Sequence, residues 1–209
     1  MRSEVIFGSL LCYSPRGQNE VSRQSRDVCY AIKAGQPRVL ELVGRRLREN
    51  LDGAGVLTQL FEHPLTLVPM PRSAPLVAGA LWPADRIARA LTAAGLGVQV
   101  VPALERVSAV PKSARAGPGE RPPISLQYES LRARSLVDVS DRILVVDDVV
   151  TKGATAIAAV SRLDEIYPKA QIALFAAIRT RGLVAEIEHI LDPALGKITL
   201  IGDEPNREP

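Results

Sequence analysis

Apolar residues along this chain fall into short compact runs separated by amphipathic stretches, and the two kinds alternate. Residues 65–69 (LTLVP), 98–104 (VQVVPAL), 143–146 (ILVV), 171–178 (QIALFAAI) and 197–201 (KITLI) have strand character. Pro69 and Pro102 place boundaries near the ends of the first two. Segments 37–51, 81–94, 154–167 and 183–191 carry apolar residues three and four apart, the spacing of one helix face. Strand and helix in alternation predict an α/β fold with an open, mostly parallel five-stranded sheet flanked by helices. Segment 105–123, rich in proline and glycine with no apolar period, predicts a long loop. The polar segment 14–26 is expected to cover the sheet edge or the site, and 202–209 to form a frayed tail.

One stretch carries chemistry. The run 143–146 ends in Asp147 and Asp148, followed by Val149 and Val150, then by Thr151, Lys152, Gly153, Ala154 and Thr155 at the entrance to a predicted helix. A continuous β-branched run reads as a buried parallel strand. Its carboxyl end is where open α/β sheets bind ligands. Small residues before a helix let backbone N–H groups approach an anion, and the helix adds its positive end. Carboxylates beside a phosphate cradle suit a sugar phosphate whose hydroxyls need acceptors, which describes a ribose 5-phosphate. An acidic strand of a P-loop ATPase is the competing reading, but no G-x-x-x-x-G-K-[ST] loop lies upstream. A receiver domain would place its acidic pair near the chain start, whereas this pair lies two thirds of the way along.

Across these thirteen positions, ILVVDDVVTKGAT, the chain resembles the type I phosphoribosyltransferases. The resemblance implies that Asp147 and Asp148 bind the ribose hydroxyls of phosphoribosyl pyrophosphate and orient magnesium, directly or through water. It gives the 5-phosphate to Val149, Val150, Thr151, Lys152, Gly153, Ala154 and Thr155. VPMPRSAP at 68–75 is similar to the proline and arginine segment of the ComF-like subgroup, as is AIKAG at 31–35. This implies a pyrophosphate loop at Pro71, Arg72 and Ser73, and the bidentate fork of Arg72 suits that task. It also implies a flexible closing loop at 105–123, with Arg106, Lys112 and Arg121 on the pyrophosphate and Asp147, Asp148, Lys112 and Arg106 as the catalytic set. A small hood or sheet edge is expected from 1–35 and 179–209. The chain departs from the subgroup in lacking a four-cysteine zinc module, in carrying Lys152 in the phosphate loop, and in the insertion AGPGERPP.

Two functions follow from the resemblance. One is transfer of ribose 5-phosphate to a nitrogen acceptor, a step of nucleotide metabolism. The other is a non-catalytic module that senses phosphoribosyl pyrophosphate or a nucleotide and reports to a partner protein or nucleic acid through Arg16, Arg23, Arg26 and Arg45 to Arg48. A homodimer is compatible with either. Phe175 is expected in the core, with stacking on an acceptor base as the other reading.

Composition changes this picture little. The 209 residues are 46% hydrophobic and 23% charged, as expected for one globular domain. With 26 basic and 23 acidic residues the chain is nearly neutral, so charge alone does not point to nucleic acid. Cys12 and Cys29 are too few for a structural zinc site. His63 and His189 have no metal-ligand spacing around them. No run approaches the ~18 apolar residues of a membrane span, and Glu4, Gly8 and Ser9 break up the first apolar run, so a cytoplasmic protein without membrane contact is expected.

Overall fold

The structure, a computed structural model, describes residues 1–62, 64–111, 122–136, 139–182, 184 and 186–208. It is an α/β protein built on a seven-stranded, mostly parallel sheet flanked by helices. In chain order its elements are β1 (Glu4–Tyr13), α1 (Glu20–Lys33), α2 (Pro37–Asp52), β2 (Thr66–Pro69), α3 (Pro83–Ala93), β3 (Gln99–Val100) and β4 (Leu104–Arg106). There follow α4 (Ile124–Glu129), β5 (Leu131–Ala133), β6 (Arg142–Val150), α5 (Ala154–Ile166), β7 (Gln171–Thr180), β8 (Leu191–Ile201) and β9 (Glu204–Glu208). The sheet order is β3-β2-β6-β7-β1-β8-β9. Strands β3, β2, β6, β7 and β1 run parallel, and β8 and β9 add antiparallel pairs at one edge. Strands β4 and β5 form a separate antiparallel ribbon at the base of segment 107–130.

The core has two layers, one on each face of the sheet. On one face α5 and α4 pack through Ala156, Val160, Leu163 and Ile124 against Val5, Phe7, Ile143, Val145 and Leu174. On the other, α1, α2 and α3 bring Ile32, Leu40, Leu47, Ile87 and Leu91 onto Leu10, Leu144, Val146 and Phe175. Alternate residues of β6 therefore serve opposite layers, as the pleat requires. Local signals set the helix starts. Asn19 caps α1 by accepting from the Ser22 backbone N–H at 2.8 Å, while Pro37 and Pro83 open α2 and α3 in the first turn, where a missing N–H costs nothing.

Several expectations are corrected. The sheet has seven strands rather than five, because β1 and β9 were not foreseen; 98–104 is divided near Pro102 into β3, in this sheet, and β4, in the separate ribbon. Strand β1 is central, not part of a hood. The Gly8–Ser9 step that interrupts its pattern exists because Leu57 packs there, and a Cβ on Gly8 would lie 2.7 Å from the Leu57 side chain. Of the residues assigned to a hood or sheet edge, β8 and β9 lie at a sheet edge, whereas β1 is an interior strand and α1 packs on one face of the sheet. The helix expected over 183–191 is not formed by its described residues. Ile190 accepts from the Cys12 backbone N–H at 2.9 Å, and Leu191 opens β8 against Leu11, so pairing with β1 overrides the helical spacing. The tail is the paired strand β9. His63, Lys112 and Arg121 lie outside the described residues.

Among the described residues no helix is long and apolar enough to cross a membrane. Both cysteines are buried, and burial pushes each thiol up to about 11. Phe175 is fully buried and meets Phe61 edge-on at 5.2 Å, which makes it a core residue. Phe175→Ala is expected to lower stability by about 3–5 kcal/mol, measured by urea unfolding; a loss below ~1 kcal/mol would contradict this packing.

Candidate functional site

Strand β6 delivers the acidic pair to the carboxyl edge of the sheet, and the segments around it determine its surroundings. Asp147 and Asp148 are half-buried rather than at the solvent-facing tip expected of a strand end. Each carboxylate accepts a hydrogen bond from the next backbone N–H, Asp147 from Asp148 and Asp148 from Val149, both at 2.8 Å. Lys33, on the last turn of α1, donates to Asp148 at 3.0 Å. Burial raises the Asp147 carboxyl well above its ordinary range, and the neighbouring charge of Asp148 raises it further. For Lys33, burial favours the neutral amine, but Asp148 outweighs it and the ammonium is held more tightly than usual.

After Val150 the chain turns through Thr151 and Lys152 to Gly153, whose φ of 99° is left-handed. Any side chain there would be strained, and a Cβ would lie 2.6 Å from Ile198. This glycine lets α5 begin with no side-chain cap, so its first backbone N–H groups are not used by a capping side chain. They face a cavity of about 150 Å³ lined by residues 149–156, Lys33, Asp147 and Tyr13, with Asp203, Glu204 and Pro205 from the β8–β9 hairpin on the far wall. Such a helix start attracts anions.

A second cavity, of about 360 Å³, adjoins the first through Lys33, Asp147 and Thr155. Its walls include Asp148, Arg106 and the loop of Pro71, Arg72 and Ser73. Several hydrogen bonds hold that loop. The Met70 backbone N–H donates to Val146 O at 2.8 Å, the Trp82 indole donates to Met70 O at 2.7 Å, and the Val110 N–H donates to Ser73 O at 2.8 Å. Pro71 is buried while Arg72 is exposed, and among the described residues Arg72 makes no ion pair.

Arg106 is placed differently from a mobile loop cation. It is buried, and it donates to Arg72 O at 3.0 Å, to the Gln127 side chain at 3.3 Å and to Ser130 Oγ at 2.5 Å. Burial lowers its guanidinium pKa to about 10. Its Nε and Nη1 donors are spent on the wall that carries Arg72.

The structure thus brings together Asp147, Asp148, the loop 149–155, the segment 71–73 and Arg106 around two adjoining cavities. Lys112 and Arg121 fall outside the described residues. Sequence reasoning assigned no role to Lys33, although AIKAG was singled out, because only folding brings α1 against β6. It also missed Tyr13 and the acidic turn at Asp203 and Glu204, which carry no motif. Lys152 lies 3.5 Å from Glu204, an exposed pair whose mutual attraction is weak.

The donor set bears on magnesium. No group of three His, Cys, Asp or Glu side chains that could hold a metal is found among the described residues. Asp148 is already paired with Lys33. Two carboxylates fit a cation whose remaining ligands come from a phosphorylated substrate and water, not a resident metal. No protein-family model and no curated protein matches this chain.

The raised carboxyl of Asp147 has a consequence for stability. A group that binds its proton more tightly in the folded state contributes stability below its unfolded pKa, about 4 for aspartate. It loses that contribution as pH rises through the folded value. Asp147→Asn stays neutral at every pH. Without divalent cations its Tm should match the parent near about pH 4 and exceed it at neutral pH. A difference that does not change with pH would contradict the assignment.

Proposed function

We propose that this chain is a type I phosphoribosyltransferase-like protein, nearest to the ComF-like subgroup, that binds phosphoribosyl pyrophosphate with magnesium. It transfers ribose 5-phosphate to a nitrogen acceptor. The observation that carries this reading is the shared wall of the two cavities: an uncapped helix start suited to a phosphate and a carboxylate pair suited to a diol meet at Asp147 and Thr155. One ligand fits both, with its 5-phosphate on residues 151–155 and its ribose hydroxyls on Asp147 and Asp148. Its pyrophosphate then lies toward Arg72.

In the reaction the bond from the anomeric carbon to pyrophosphate breaks, a bond to the acceptor nitrogen forms, and a proton leaves that nitrogen. Asp147 and Asp148 would hold magnesium, directly or through water, and the ion would offer positive charge to the pyrophosphate. Arg72 adds a guanidinium on the same side. Arg106 acts as a positioning residue through the backbone of Arg72. Lys33 neutralises Asp148 until hydroxyls arrive to share it.

The sensing module is the second reading, and the bonding of Arg106 Nε and Nη1 to protein groups favours it, since those donors are not free for pyrophosphate. Its proposed nucleic-acid surface has weaker support. Arg23 pairs with Glu20, Arg26 donates to Gly17 O, Arg46 pairs with Glu49, and Arg48 donates to Ala94 O.

Isothermal titration of phosphoribosyl pyrophosphate with magnesium, followed by a pyrophosphate-release assay against nitrogen bases, separates the two readings. Binding with release is expected of the transferase, and binding without release of the sensor. Asp147→Asn with Asp148→Asn should weaken binding about tenfold to hundredfold, the scale of lost charge-assisted hydrogen bonds. Unchanged affinity in the double variant would sink the ribose assignment.

A further inference from the structure

Beyond the two cavities of the site lies a third, of about 600 Å³, on the other side of the phosphate loop. It shares Thr151, Lys152, Glu204 and Pro205 with the first and adds Thr180, at the end of β7, and Arg207 on β9. Arg207 lines this cavity, and Arg179 and Arg181 lie close enough to act on its charge. Arg179 is buried and bonds Asp192, and Arg181 reaches the same carboxylate at 3.4 Å. Asp192 is thus shared between two guanidinium groups, and among the described residues Arg207 has no carboxylate.

Arg207 is half-buried. One of its nitrogens donates to Thr180 O at 2.6 Å, its guanidinium lies 5.6 Å from the centre of the Phe7 ring, and its Nη1 is buried without a hydrogen-bond partner. The hydroxyl of Thr180, in the same wall, is also buried and unpartnered. Burial lowers the Arg207 pKa to about 10, with Arg179 and Arg181 adding to the shift. An arginine held among like charges, with an unused donor beside an unused hydroxyl, is a site short of one anion. Leaving such groups buried and unpaired is costly, and an oxyanion relieves both deficits together. Lys152, paired only weakly with Glu204, stands at the boundary with the phosphate loop and can turn toward either cavity.

We propose that this cavity is a second oxyanion site, centred on Arg207 with Thr180, that takes a carboxylate or phosphate group of a small molecule. That this molecule is the nitrogen acceptor rests on the transferase reading; the oxyanion site itself does not. The acceptor class is then an anionic nitrogen base rather than a neutral one.

The test is titration of the full chain with inorganic phosphate and, separately, with acetate, followed by amide and arginine side-chain nitrogen–proton spectra. Phosphate is expected to move two sets of signals, Gly153 to Thr155 at the helix start and Thr180, Gly182 and the Arg207 side chain at the second site. If acetate moves the second set more readily than phosphate, the group read there is a carboxylate; the reverse identifies a phosphate. Arg207→Met should weaken binding at the second set by about tenfold or more and leave the first in place. Arg207→Lys should retain part of it, and Thr180→Val serves where loss of the arginine prevents folding. Signals of the second set that neither anion moves, or that move equally in Arg207→Met, would overturn the proposal. Phosphoribosyl pyrophosphate binding with an inert Arg207 would remove this site and leave the transferase reading; the converse would remove that reading and leave the site.

Discussion

Two carboxylates in succession at the end of a buried strand repel one another, and that repulsion organises this end of the molecule. Placing both in a half-buried pocket is favourable only if one keeps its proton or a cation stands close by. The chain lays Lys33 against Asp148, and burial makes Asp147 hold its proton more tightly than an ordinary aspartate. Lys33 can reach that position because α1 packs through Cys29 and Ile32 onto the sheet, which in turn requires β1 to run up the middle of it. The positive start of α5 lies on the other side. The pocket is therefore an electrostatic balance built from three separate parts of the chain.

Most of what could be seen without coordinates was local. The strand 143–146 and the helix after it are signalled by a β-branched run and by apolar spacing, and both stand within a few residues of expectation. Segments 37–51 and 81–94 likewise follow their periodicity to α2 and α3. What escaped was decided at a distance. Gly8 weakens a strand pattern in sequence, yet Leu57 requires that glycine. Segment 183–191 has helical spacing, but the backbone of β1 offers its residues a partner no helix can match. Arg106 reads as a mobile catalytic cation because sequence cannot show Gln127 and Ser130 closing around it. Lys33 acquires its meaning from Asp148, more than a hundred residues away, and Arg207 from Thr180 and Phe7, neither adjacent to it in sequence.

The division between wall and contact also has a physical basis. Residues such as Arg106 and Trp82 spend their donors on backbone carbonyls and so hold the loop at 71–73 in a defined place. Among the described residues Arg72 makes no ion pair, and the loop that carries it is held from beneath. A hydrogen-bonded support carrying a cation orders less on binding than a set of mobile side chains would, and loses less entropy doing so.

Strand β9 also ends the sheet. An edge strand offers a row of open backbone groups on which other chains can add, and proteins blunt such edges with charge, proline or brevity. Here the sequence Glu204, Pro205, Asn206, Arg207 and Glu208 supplies both charge and proline, and the opposite edge, β3, is only two residues long. The segment that borders the anion cavities is thus also the chain's guard against stacking on copies of itself. Substitutions there act on two properties at once, ligand recognition and resistance to aggregation, so this short segment has less freedom to drift than its exposed position suggests.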